Sequence, residues 1–171
     1  MTEREVRVSV RVFREPGALL ARMAHDVELV LERVTARAVD RRVEVAFEPA
    51  SLRVTGALVD GRVAPALLDA GQRQEIERNV QAQVLKTDRF PRGSFAGEFD
   101  ESQSPVSVRG TLELCGKRQP ISFELIRQGQ AHVGELTITP SRWGIAPYRA
   151  LLGALKLQDK AVIRVEVKAT P

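Results

Sequence analysis

Cysteine and histidine are scarce in this chain of 171 residues. Cys115 is the only cysteine, so no disulfide can form within the chain and a reducing compartment is permitted. The only two histidines, His25 and His132, lack the cysteine and histidine spacing of a zinc site. The sequence therefore predicts neither a metal site nor a bound cofactor.

Long apolar runs are also lacking. No segment approaches the roughly 20 consecutive apolar residues that a membrane-spanning helix needs. The first residues, MTEREVRVSV, alternate charged residues with valine and contain no apolar signal-peptide core. We therefore expect a cytoplasmic protein without stable membrane insertion.

Charge of one sign is not concentrated in any part of the chain. The 26 basic and 22 acidic residues are interspersed and give a net charge of +4. Basic runs do not exceed pairs such as Arg41-Arg42 and Lys117-Arg118. A generally solvated surface explains this pattern better than a nucleic-acid-binding face, so we predict no nucleic-acid partner.

The dominant pattern in the sequence is alternation of apolar and polar residues. In EVRVSVRVF the valines fall on one face of an extended chain and the polar residues on the other. The same alternation occurs in DVELVLE, RVEVAFEP, SLRVTG, GSFAGEFD, VSVRGTLEL, ISFELI, GELTIT and AVIRVEVKA. About eight or nine such segments predict an all-β protein of antiparallel strands, either a sandwich or a barrel.

Two segments have helical spacing instead. Residues 16–25, PGALLARMAH, begin with proline and place apolar residues three to four apart, which predicts a short helical turn. Residues 72–85 predict an amphipathic helix that packs through Ile76, Val80 and Val84, because these residues are four apart among polar neighbours.

A third segment, residues 141–159, reads SRWGIAPYRALLGALKLQD and contains the only tryptophan and the only tyrosine. Pro147 can occupy the first turn of a helix, so we predict a short helix there. Its apolar stripe would comprise Leu151, Leu152 and Leu155.

Side chains typical of catalysis do not form a recognisable site. His25 and Asp26 are neighbours and would point to opposite faces of a strand. Cys115 precedes Gly116 at a predicted hairpin, and His132 lies at another, where an exposed turn residue is the simplest interpretation. No G-x-S-x-G motif or phosphate-binding glycine loop occurs, so we expect a protein that is not an enzyme.

Four stretches, taken in order, resemble the YceI-like family of lipocalin-like, polyisoprenoid-binding proteins. They are FEPASLRV, QRQEIERNVQAQVLKTDRFPRGSFAGEF, VSVRGTLELCGKRQPISFEL and RWGIAPYRALLGALKLQDKAVIRVEV, and MAHDVELVLE fits an early strand. In the third stretch the resemblance rests on Gly110, Leu112, Gly116 and Pro120. It covers residues 5 to 169 and implies one domain over 1–171, an extended lipocalin-like antiparallel eight-stranded β-barrel with a long hydrophobic cavity.

The resemblance also implies a ligand and the residues that contact it. The ligand would be a long-chain hydrophobic molecule of the isoprenoid, prenyl quinone or fatty-acyl type, bound for lipid storage, transport or sequestration. Segment 141–159 would close one end of the cavity, with Trp143 beside the ligand. The expected lining residues are Val27, Leu29, Leu31, Val43, Val45, Phe47, Leu112, Leu114, Ile121, Phe123, Leu125, Trp143, Ile145, Leu151, Leu152 and Leu155. The residues expected at a polar head group are Arg142, Tyr148 and His25.

Two other functions stay open at this point. One is a small barrel enzyme that acts on a hydrophobic substrate, which a buried histidine or tyrosine facing the cavity would favour. The other is a structural or protein-interaction β-domain with a filled core, which the absence of a cavity would favour. The sequence also leaves a homodimer open.

Overall fold

A computed structural model describes residues 2–19 and 24–168, apart from the side chain of Leu151. Thirteen strands dominate this part of the chain, and all of their pairings are antiparallel. The strands are β1 (Thr2–Arg4), β2 (Val6–Arg14), β3 (Asp26–Leu31), β4 (Val34–Val39), β5 (Arg42–Phe47), β6 (Leu52–Val59), β7 (Arg62–Ala64), β8 (Gly93–Asp100), β9 (Val106–Leu114), β10 (Lys117–Gln128), β11 (Ala131–Ile138), β12 (Arg149–Ala150) and β13 (Leu155–Lys168).

The strands form one sheet in the order β1-β4-β5-β8-β9-β10-β11-β13-β2-β3-β6-β7, with β12 paired to β13. Many neighbours in the sheet are also neighbours in the chain, and two-residue turns join β4 to β5, β6 to β7, β9 to β10 and β10 to β11. Left-handed residues make these turns, as at Asp60-Gly61 and Cys115-Gly116. The predicted all-β class is therefore correct, and the helical content is small.

Two ends limit this sheet, β1 and β7. The closed eight-stranded barrel expected from the sequence is not confirmed by this strand order. The end at β1 is nevertheless unusual, because β1 is separated from β2 by Glu5 alone. β1 pairs with β4, whereas β2 pairs with β13 and β3. Residues 2–14 therefore contact strands from both halves of the sheet.

A facing pair of glycines shows why the predicted motif at residue 110 needs glycine. Gly110 lies opposite Gly97 in the β8–β9 ladder. A Cβ atom on Gly110 would lie 2.3 Å from the Ala96 carbonyl oxygen and 2.7 Å from Cζ of Phe95. The Phe95 ring packs over both glycines, and no larger residue fits beneath it without a shift of the backbone.

The helix predicted at 72–85 is confirmed. α1 spans Ala70–Asn79 and continues as a π-helical turn, Val80–Val84. Asp69 caps it: its side chain accepts from Gln72 N, and the Gln72 side chain accepts from Asp69 N. The three predicted contact residues pack against the hydrophobic core: Ile76, Val80 and Val84.

The helix predicted from Pro147 is wrong. A 3₁₀ turn, Pro140–Trp143, precedes an extended stretch, and Arg149 then pairs with Lys156 in the β12–β13 ladder. The backbone groups that a helix would use are bonded to the neighbouring strand instead. Leu152, with φ 55°, and Gly153, with φ 87°, make the turn between the two strands.

The helical turn predicted at residues 16–25 falls partly outside the described residues, which omit 20–23. Over the described part, the chain after Glu15 forms a turn in which Ala18 N donates to Glu15 O over 3.2 Å. Leu19 follows this turn, and its side chain is 86% exposed. Leu19 therefore does not pack in the core as a helical stripe would require.

Candidate ligand-binding cavity

A cavity of about 520 Å³ lies against the apolar face of the sheet. Its volume is within the range of about 300 to 1,000 Å³ that is typical of small-molecule sites. Valine, leucine, isoleucine and phenylalanine make up most of its wall. The filled-core alternative therefore loses its main support.

Eleven strands contribute residues to the lining of this cavity, mostly at alternate positions, because side chains on a strand point to the same face at every second position. β2 shows the pattern most simply. Its lining residues are Val6, Val8, Val10 and Val12. Between them, Arg7 is exposed, and Arg11 Nε donates to Glu28 Oε2 over 2.9 Å on the other face.

Many of the residues predicted from the sequence stand together in this wall. Those that line the cavity are Leu29, Leu31, Val43, Val45, Phe47, Leu112, Leu114, Ile121, Phe123, Leu125 and Ile145. Their contact with a ligand stays a prediction. Their common position follows from the register, which places Val45 beside Phe95 and Phe95 beside Leu112.

Other predicted lining residues are not in the cavity wall. Val27 is buried in the adjoining packed core, where it pairs with Val12 and Ala57. Leu152 is fully exposed at its turn, and Leu155 lies in β13 outside the cavity lining. The side chain of Leu151 lies outside the described residues.

Trp143 is the largest fully buried side chain of the described chain, and it is absent from the cavity lining. Its indole Nε1–H donates to the Leu112 carbonyl oxygen over 2.9 Å. Trp143 therefore stands outside this cavity wall, and its contact with a ligand stays a prediction. Its chain neighbour Ile145 reaches the cavity instead.

Of the three residues expected at a polar head group, only Tyr148 lines the cavity. His25 is exposed, away from the lining. Arg142 is also exposed. Its guanidinium lies over the Trp143 ring at 5.6 Å from the ring centroid, and its carbonyl oxygen accepts from Gln119 Nε2.

Polar residues that were not predicted from the sequence lie at the two ends of the cavity. One end has Arg4, Glu101, His132 and Lys168, and the other has Gln158, Asp159 and Lys160 beside the predicted Tyr148. His132 is part of β11 rather than an exposed turn residue. The alternation in GELTIT, extended back by two residues, would have placed it on the same face as Leu136 and Ile138.

His132 and Tyr148 both line the cavity, yet they stand far apart. His132 pairs with Val167, near the end of β13, and the Tyr148 carbonyl accepts from Leu157 N, near its start. At roughly 3.3 Å per residue, these β13 positions are separated by about 30 Å. The two side chains therefore do not form a joint catalytic site.

Cys115 is half-buried and has a left-handed backbone with φ 49°. Its Sγ lies 3.4 Å from the Leu85 carbonyl oxygen. Burial raises the pKa of the thiol, and nearby Lys86 opposes this weakly. A thiol with a raised pKa is a poor nucleophile near neutral pH.

The described residues contain no group of three or more histidine, cysteine, aspartate or glutamate side chains able to hold a metal ion. Within the same ranges, no helix is long and apolar enough to cross a membrane.

The fold and the site together define an all-β protein with an apolar cavity against one face of an antiparallel sheet. The chain belongs to the YceI-like family, because the family model of the YceI-like domain matches residues 17–169. No curated protein sequence matches the chain.

Three solved structures are similar in fold. BcnA of Burkholderia cenocepacia has 15% sequence identity and a TM-score of 0.65, with 96% of each chain covered. A polyisoprenoid-binding domain of Saccharophagus degradans has 8% identity and a TM-score of 0.62 over 98% of each chain. The Campylobacter jejuni YCEI protein has 13% identity and a TM-score of 0.52, over 82% of this chain and 84% of that one.

Proposed function

We propose that this protein binds one long-chain hydrophobic molecule of the isoprenoid, prenyl quinone or fatty-acyl type in the cavity. It would act in lipid storage, transport or sequestration. The apolar wall of the cavity is the observation that carries this proposal. Burial contributes about 0.8 kcal/mol per CH₂ group, so a long aliphatic chain gains enough free energy to offset its ordering on binding. The polyisoprenoid-binding name of the Saccharophagus degradans domain agrees with this ligand class.

The proposal includes a sheet that wraps around the ligand as an eight-stranded barrel. The chain continuity between β1 and β2 supports it, because the segment 2–14 pairs with β4 through β1 and with β13 through β2. β4 and β13 stand at opposite ends of the run β4-β5-β8-β9-β10-β11-β13. One continuous chain segment would thus join the two ends of this run. An interior of this size suits one slender ligand.

The proposal is a binding function rather than catalysis. The central wall is apolar, and the polar side chains are divided between its two ends. An enzyme acting on a hydrophobic substrate would need an acid, a base or a nucleophile placed around a reacting atom. The histidine and the tyrosine that would favour this alternative are His132 and Tyr148, and their separation argues against a joint site.

The test compares Leu125→Arg with Ile126→Arg. Leu125 lines the cavity, whereas Ile126, its neighbour in β10, is 57% exposed. An arginine at 125 would bury an unpaired charge in the ligand site, so we expect retention of a fluorescent prenyl or acyl probe to be abolished. The Ile126→Arg variant should retain the probe like the unmodified protein.

Circular dichroism and thermal unfolding establish that both variants fold. Phe47→Arg, with the exposed neighbour Ala46→Arg as its control, repeats the test on β5 if Leu125→Arg does not fold. Native mass spectrometry with lipid extraction of the purified protein then identifies the bound molecule. Failure of the unmodified protein to hold any lipid or probe would show that the cavity is not a ligand site.

A further inference from the structure

A short hairpin next to one end of the cavity has features that ligand enclosure does not explain. β12 pairs with the first residues of β13, so that Arg149 lies opposite Lys156 and Ala150 opposite Leu155. We call residues 149–156 the tip hairpin. Its turn contains Leu152, whose side chain is fully exposed to solvent.

The conformation and the exposure of Leu152 each cost free energy, for separate reasons. Its large apolar side chain lacks cover, and its backbone is left-handed, with φ 55° and ψ 33°. Left-handed geometry favours glycine and asparagine over a leucine. Backbone strain of this kind is concentrated at positions that have a function.

The base of the tip hairpin carries two cations that face each other. Arg149 and Lys156 are direct partners across the ladder, an arrangement that repels. Within residues 2–19 and 24–168, neither side chain belongs to an ion pair. An anionic group bound between them would remove the repulsion.

The tip hairpin adjoins the cavity and a second exposed leucine. Leu157 N donates to the Tyr148 carbonyl oxygen at the base of the hairpin, and both residues line the cavity. Glu15 N donates to the Lys156 carbonyl oxygen over 2.8 Å, which ties the following turn to the hairpin. That turn carries Leu19, which is 86% exposed.

We infer that the tip hairpin docks this protein on the surface of a membrane that contains anionic lipids. Leu152 enters the boundary between head groups and acyl chains, while Arg149 and Lys156 bind lipid phosphates. The inference rests on the proposed function, since docking brings the adjacent end of the cavity to the lipid from which a ligand would come. A bilayer fits better than a protein partner, because the exposed apolar group is one leucine in a turn above two cations, whereas a stable protein interface needs a broad area.

A Leu152→Trp variant tests the inference directly. Trp143 is fully buried, so its emission forms a constant background. With phosphatidylcholine vesicles that contain phosphatidylglycerol, we expect the emission of the new tryptophan to shift to shorter wavelength. The shift should be absent with phosphatidylcholine alone and should fade as salt is raised. No shift with the anionic vesicles would overturn the inference.

Vesicle sedimentation with matched variants gives the second measurement. Leu152→Ser should weaken binding to anionic vesicles about tenfold, because the apolar anchor is lost. The pair Arg149→Gln with Lys156→Gln should weaken it about tenfold or more. Ile126→Ser is the control for the apolar change, and the double variant Arg37→Gln with Arg127→Gln is the control for the charge change. Both controls should bind like the unmodified protein. Equal losses in the controls would overturn the role of the hairpin.

Retention of a prenyl probe in the absence of vesicles separates this inference from the proposed function. A protein that holds the probe but does not bind anionic vesicles refutes docking and leaves the cavity function standing. A protein that binds vesicles but holds no probe supports docking and refutes the cavity function. Self-association that Leu152→Ser abolishes, without vesicle binding, would identify the hairpin as a protein interface and overturn the inference.

Discussion

At the residue scale, the hydrogen bond of the Trp143 indole joins two segments that are distant in the chain. A lone tryptophan near a predicted cavity suggests a side chain with one wet end, because tryptophan combines an apolar body with an N–H group. In the structure the N–H group is satisfied by the Leu112 carbonyl oxygen of β9. That partner is 31 positions away in the chain, so local pattern could not reveal it. The alternation of Leu29, Phe47 and similar residues was informative because it depends only on strand geometry.

Replacing Trp143 with phenylalanine should destabilise the fold. The change keeps most of the buried ring but leaves the Leu112 carbonyl oxygen without the indole donor in a buried position. We expect a loss of about 1–3 kcal/mol in the free energy of unfolding, measured by urea denaturation. Tyr148→Phe, a second aromatic change at a half-buried residue, is the comparison. Equal stability of the Trp143→Phe variant and the unmodified protein would show that the hydrogen bond contributes nothing.

Cys115 should react slowly with a thiol reagent in the folded protein. Because burial raises the pKa of Cys115, less reactive thiolate is present at any given pH than in the unfolded chain. The labelling rate should rise with pH and stay below that of the urea-unfolded protein even in alkaline buffer. A colorimetric disulfide reagent measures both rates. Equal rates near neutral pH would contradict the burial of this thiol.

At the element scale, the helix predicted at α1 is confirmed, whereas the helix predicted at the tip hairpin is wrong. α1 was predictable because its spacing and its cap are local, with Asp69 and Gln72 three residues apart. The tip hairpin was not, since a leucine-rich stretch after a proline has good helix propensity. An available edge at the start of β13 decided the outcome, and pairing with that edge is a tertiary property.

Removal of the α1 cap should lower stability by about 1 kcal/mol. Asp69→Ala deletes the carboxylate that accepts from Gln72 N at 2.8 Å and ends the reciprocal bond of the capping box. Glu75→Ala in the same helix changes an exposed residue and should cost little, because alanine is a good helix former. Both are measured from urea unfolding midpoints. A similar loss in both variants would argue against the cap.

At the scale of the whole molecule, the strands and their inward faces could be predicted from the sequence more completely than the order in which the strands pair. The resemblance to the YceI-like family gave the fold class because its motifs cover nearly the whole chain. The strand order has its ends at β1 and β7, and this could not be read from alternation, which carries no information on which strands are neighbours. The polar end of the cavity was not predicted for the same reason. Strand pairing alone brings Arg4, His132 and Lys168 to that end.

A hydrophobic ligand should raise the thermal stability of the whole domain. A molecule that binds the folded state alone stabilises it by about 2.7 kcal/mol at a free concentration of 100 times its Kd. For a chain of this size, the melting temperature should then rise by roughly 5–10 °C. Differential scanning calorimetry of delipidated protein with and without the ligand identified by mass spectrometry measures the shift. An unchanged melting temperature at saturation would show that the ligand does not bind the native fold.

The position of β13 has a consequence for how the chain folds during synthesis. β13 pairs with β2 on one edge and β11 on the other, and it places residue 167 beside residue 6. A ribosome releases β2 early and β13 only after the ten strands that lie between them. Until β13 emerges, β2 and β11 each expose an unpaired edge, which is a template for aggregation. Contacts this distant in the chain also slow folding. The edges of β2 and β11 therefore stay open to self-association until β13 pairs with them.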